Sequence, residues 1–66
     1  MKFQERLKEL RQQHNLSQMQ LAVRTGISQS AIAKWELGKT EPTASALVIL
    51  AKFFGDSSDY LLGVEE

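Results

Sequence analysis

Phe3, Leu7 and Leu10 fall at i, i+4 and i+7, the spacing of a narrow apolar stripe along one face of a helix. That pattern predicts a first helix from about Lys2 to His14, with Asn15 as a left-handed terminator and Arg6 and Lys8 solvated. A second helix begins at about Ser17. Its hydroxyl can cap the following turn while Gln20 reaches back, an S-x-x-Q capping box. Leu21, Ala22 and Thr25 share a face, and Gly26 ends the helix because the left-handed backbone of such a terminus costs glycine nothing. Ile27 plugs the corner and Ser28 caps a third helix. Ile27, Ala31, Ile32 and Trp35 recur at helical spacing and are expected to face inward, leaving Gln29, Ser30, Ala33, Lys34 and Leu37 pointing out.

Leu37 to Pro42 is the one extended loop, with a glycine near one end and a proline at the other. Thr43 caps a fourth helix that runs to Phe54 and is stopped by Gly55. Leu47, Leu50, Ala51 and Phe54 make its core stripe. Ile49 and Phe53 lie off that stripe, so the helix is apolar on two faces and needs cover on both, from its own domain or from a partner. Ser57 caps a last short helix that carries Asp59 in its first turn and ends at Gly63. The expectation is an all-α fold, a compact five-helix bundle in which helices 2 and 3 form a helix-turn-helix. The second helix of such a unit can enter the DNA major groove.

With 66 residues the sequence predicts one small domain over 1–66. It has no cysteine and one histidine, so thiolate chemistry, a disulfide framework and a multi-histidine metal site are not expected. His14 lies at a helix end without a nucleophile and orienting group to make a catalytic set, and neither an enzyme nor a cofactor is expected. The first residues are charged and helical in pattern rather than signal-like, and no apolar run is long enough to span a bilayer, so no membrane partner is expected and a cytoplasmic location fits.

The formal net charge is zero, which argues against an indiscriminate polybasic binder. The distribution changes that picture. Residues 1–40 hold seven Lys/Arg against three Glu, and residues 41–66 hold one Lys against five Asp/Glu, so the basic half coincides with the two-helix unit. Few phosphates can be neutralised by so few cations, and a DNA complex of this chain should therefore be specific with a modest salt dependence.

Arg11, Leu16-Ser17-Gln18, Leu21-Ala22, Gly26-Ile27-Ser28, Ile32, Trp35-Glu36, Gly38-Lys39, Pro42 and Asp59-Tyr60-Leu61-Leu62-Gly63 together resemble the Cro/C1-type helix-turn-helix family of phage and bacterial repressors. The resemblance covers nearly the whole chain. Val23, where the family usually shows a polar residue, and Thr25, where it often shows an aliphatic one, are departures. The resemblance implies a transcriptional regulator, a repressor binding a near-palindromic operator as a homodimer. On residue chemistry, Gln29 is the leading base reader, since its amide can bond adenine N6 and N7 together. Ser28 and Ser30 can act at the helix N-terminus and at a base edge, Ala33 can touch a thymine methyl, and Lys34 can reach guanine or a phosphate. Gln18, at an N-terminus with free amides, suits a phosphate, and the family's matching glutamine bridges phosphate and the reading glutamine. Lys39 and Thr40 follow in a loop suited to the backbone.

The family also implies a largely buried ion pair between Arg11 and Glu36. Ile49 and Phe53 are the candidate dimer or partner surface, and Trp35 is expected in the core rather than as a base-stacking platform. A second reading keeps the fold but makes the chain an antitoxin or adaptor whose fourth helix engages another protein. The polar outer face of the third helix favours DNA.

Overall fold

The computed structural model describes residues 3–55, and these form four helices: α1 (Phe3–Gln13), α2 (Gln18–Thr25), α3 (Gln29–Glu36) and α4 (Ala44–Phe54). No strand occurs among the described residues. The all-α class therefore stands, but the five-helix count is corrected to four among the described residues. The expected fifth, from Ser57 to Gly63, lies outside the described residues. Its prediction rested on cap residues bracketing a short stretch, and Ser, Asp and Gly serve turns as readily as helix ends, so such signals do not by themselves establish a helix.

Local contacts set the starts of α2, α3 and α4 and the ends of the helices. Ser17 and Gln20 make the reciprocal box: the Gln20 amide donates to Ser17 Oγ at 3.0 Å, and the Ser17 amide to Gln20 Oε1 at 2.8 Å. Ser28 Oγ accepts from the Ala31 amide at 3.1 Å, and Thr43 Oγ1 from that of Ala46 at 3.2 Å. At the other end of α1, Asn15 takes φ 58°. Its amide donates to Gln12 O at 3.0 Å and the Leu16 amide to Arg11 O at 2.9 Å, the paired bonds of a Schellman motif with asparagine in the left-handed place. The same pair closes α3, from Gly38 to Trp35 O at 3.0 Å and from Lys39 to Lys34 O at 2.9 Å.

Phe3, Leu7 and Leu10 of α1, Leu21 of α2, Ile32 and Trp35 of α3, and Leu50 and Phe54 of α4 form one buried core. α3 packs against both α1 and α2, and α4 against α2. Trp35 meets Phe3 edge to face, with ring centroids 5.9 Å apart and planes at 72°, which fixes the far end of α3 on the start of α1. Partly buried Leu16, Ala22, Ile27, Ala31, Leu47, Ala51 and Phe53 complete the packing. Phe53, off the core stripe, is half-buried, with its ring edge-on to Phe54 at 5.1 Å. Ile49 and Val48 stay exposed. Arg6, expected in solvent, is also half-buried.

Candidate nucleic-acid interface

The junction between α2 and α3 is three residues long, and its geometry is set by the backbone of Gly26 and the side chain of Thr25. Gly26 takes φ 78°, and its amide donates to Ala22 O at 2.9 Å. A β-carbon there would meet nothing within 4 Å, so glycine is required for its backbone conformation and not for space. Thr25 supplies the second constraint. Its hydroxyl donates to Leu21 O at 2.8 Å and accepts from the Ile27 amide at 3.2 Å, so one oxygen ties the last turn of α2 to the chain entering α3. Sequence reasoning missed this role. Its only trace was a threonine in the last turn before a glycine, where an i−4 carbonyl is always in reach.

α3 then presents its outer face. Gln29, Ser30 and Lys34 are exposed, and so are Lys39 and Thr40 in the loop beyond. Ser28 is exposed too; its oxygen accepts from Ala31 while the hydroxyl keeps a hydrogen to donate. Ala33 was expected outward and is half-buried, as is fitting for a residue on the flank of the helix. Eight residues of helix rise about 12 Å, close to the roughly 12 Å width of the major groove.

Behind that face lies a polar cluster that sets the orientation of α3. Arg11 Nε donates to Glu36 Oε2 at 2.7 Å and Arg11 Nη2 to Oε1 at 2.9 Å, a two-pronged pair from α1 to the end of α3. The third prong, Nη1, donates to the Leu16 carbonyl at 2.8 Å. Gln18 Nε2 adds a bond to Glu36 Oε1 at 3.1 Å. One carboxylate thus accepts from α1 and α2 while belonging to α3, and Arg11 also holds the α1–α2 loop. The side chains are 13% and 5% exposed for Arg11 and Glu36. The hydrogen bonding to Glu36 raises the Arg11 pKa above its ordinary value; burial works against this and the charge of Glu36 adds to it. No buried side-chain nitrogen or oxygen among the described residues lacks a partner.

Gln18 has a bond that the sequence did not point to. Its amide nitrogen is engaged with Glu36 rather than with Gln29, and because a carboxylate can only accept, that bond also fixes which way the amide faces. His14 is exposed at the end of α1, its ring centroid 5.1 Å from that of Phe54.

Two short helices joined at a left-handed glycine, with a polar outer face on the second and a buried tie behind it, define a helix-turn-helix DNA-binding module. The chain belongs to the Cro/C1-type helix-turn-helix family of DNA-binding transcriptional regulators, whose model matches residues 7–61. It is 46% identical to an HTH-type transcriptional activator, BcrR, of Enterococcus faecalis over 66 residues, all of this chain and 32% of that protein. It is 39% identical to the uncharacterized HTH-type transcriptional regulator YobD of Bacillus subtilis (strain 168) over 62 residues, 94% of this chain and 55% of the relative. Repressor protein C2 of Salmonella phage P22 is 38% identical over 58 residues, 88% of this chain and 27% of the repressor. The chain thus spans between about a quarter and just over half the length of these curated relatives. No solved structure gives a significant match. No helix among the described residues is long and apolar enough to cross a membrane.

Proposed function

We propose that the chain binds double-stranded DNA sequence-specifically, with α3 in the major groove, and represses by occupying an operator. Binding alone suffices to exclude another protein from the same DNA, so repression asks for nothing beyond a well-held complex. The observation that carries the reading is the exposed row of Gln29, Ser30 and Lys34 on a helix held from behind by the Glu36 cluster. Gln29 reads adenine through its amide, and Ser30 and Lys34 read neighbouring base edges or a phosphate. Ala33, on the flank, offers its methyl to a thymine. Ser28, Gln18, Lys39 and Thr40 position the module on the backbone. With Gln18 Nε2 already donating to Glu36, its second amide hydrogen and the free backbone amides at the start of α2 are what it can offer a phosphate.

The operator is a near-palindrome bound by a homodimer, its half-sites about one helical turn, ~34 Å, apart. Exposure favours Ile49 as the centre of the dimer surface, joined by Val48, with Phe53 contributing only its uncovered edge. Such a protein acts where the DNA is, in the cytoplasm.

Selection of bound sequences from a random DNA pool at two salt concentrations tests the reading. Enrichment of one motif containing two inverted copies, retained at the higher salt, is the expected result. A pool that enriches nothing at either concentration overturns it and transfers the weight to an adaptor that docks protein on α4.

A further inference from the structure

Five large apolar side chains stand exposed among the described residues: Met19, Val23, Leu37, Val48 and Ile49. A solitary exposed leucine is ordinary on a protein surface. Leu37 is distinguished by its setting. It is 70% exposed, it follows directly on the last residue of α3, and it stands seven residues after Ser30 and three after Lys34, in the same row. Its backbone is pinned on three sides. The Leu37 amide donates to Ala33 O at 3.1 Å, and the two succeeding amides close the Schellman motif onto Trp35 and Lys34. Lys39, exposed, lies two residues further on.

We propose that Leu37 packs on the deoxyribose wall of the major groove, making an apolar contact that sets the depth and tilt of α3 without reading sequence. This rests on the DNA-binding reading above. From Gln29 to Leu37 the helix advances about 12 Å, more than half the width of the groove, so with Gln29 over the base edges Leu37 lies beyond them, at a sugar-phosphate wall. That wall is sugar carbon framed by phosphates. Lys34 and Lys39 on either side match the phosphates, and the isobutyl group of Leu37, carried on a pinned backbone, matches the carbons between them. Counterion release accounts for the lysines and has no part in the leucine contact, which separates the two experimentally.

The test is a salt titration of operator and unrelated DNA with wild type, Leu37→Ala, Leu37→Met and Lys39→Ala, alongside sedimentation of the free proteins. Leu37→Ala should weaken binding about five- to tenfold per half-site, as expected for uncovering half the surface of the removed carbons. The loss should be similar on both DNAs, the salt slope should not change, and Leu37→Met should bind like wild type. Lys39→Ala should instead lower the slope by about one. Unchanged affinity of Leu37→Ala overturns the proposal, while salt-dependent binding by the wild type leaves the DNA reading intact. A loss confined to sites with thymine at one position overturns it in favour of base reading. A changed mass of free Leu37→Ala overturns it in favour of a protein contact. Absence of binding by the wild type is a failure of the DNA reading itself.

Discussion

Replacing Arg11 with alanine should test how α3 is held. In the folded protein Glu36 is almost fully covered and accepts three hydrogen bonds, two of them from Arg11. The substitution leaves the carboxylate with Gln18 as its one donor and withdraws the guanidinium from the Leu16 carbonyl. Removing one partner of a covered ion pair costs about 3–5 kcal/mol, since the other charge is left without compensation. A domain of this size has a total stability of only about 3–10 kcal/mol. The expected outcome of thermal and urea unfolding is a fall of about 3 kcal/mol or more, which near the midpoint is a drop of at least ~12 °C. Arg11→Lys keeps the charge but not the fork and should lose about half as much. Arg11→Met with Glu36→Met removes both charges and should recover most of the loss, with a coupling energy of about 2–3 kcal/mol in the cycle. The reasoning is refuted if Arg11→Ala lies within about 1 kcal/mol of wild type, the range of a surface pair, or if the double variant is as unstable as the sum of the singles.

Thr25→Val keeps the shape but strands the Ile27 amide, so it should cost about 1–2 kcal/mol in urea unfolding, whereas Thr25→Ser should cost less. Gly26→Ala should lose about 1–2 kcal/mol from the left-handed backbone alone, because no neighbour meets the added carbon. Gly38→Ala should lose more: it shares the strain at φ 75° and its new carbon comes 3.1 Å from Gln4 Nε2, so the excess should vanish in a Gln4→Ala background. Gln29→Ala should relax preference at one base pair by about 1–3 kcal/mol with little change on unrelated DNA; equal losses on every sequence in a competition assay would remove it from the reading row.

What was legible in the sequence was local. The caps at Ser17, Ser28 and Thr43 and the stops at Asn15, Gly26 and Gly55 act within four or five residues, and the buried positions of α1 follow one helical period. Contacts between distant residues were legible only by resemblance: Arg11 and Glu36 are far apart in sequence, and nothing in their spacing pairs them. The Gln18 bond to Glu36 was not read at all, because an amide at a helix start has many possible partners and the fold chooses among them. The partial cover of Phe53 was one of two alternatives that the sequence left open. Its helical phase placed it off the core stripe, but an aromatic ring is long enough to fold back against Phe54. The fifth helix falls outside the described residues, and its expectation rested on cap residues, which mark boundaries without specifying what lies between them.

The Glu36 cluster has a consequence for how such a protein changes over generations. Arg11, Glu36 and the Leu16 carbonyl hold α3 in place, whereas the exposed side chains of Gln29, Ser30 and Lys34 make none of those bonds. Mutations in the outer row therefore leave the mounting of the helix untouched. A lineage could exchange one target site for another by drift at three surface positions, and an engineer could do the same by grafting them. Gln18 is the exception, joined to the mounting and proposed to meet a phosphate, and it is the position at which retargeting and stability would conflict.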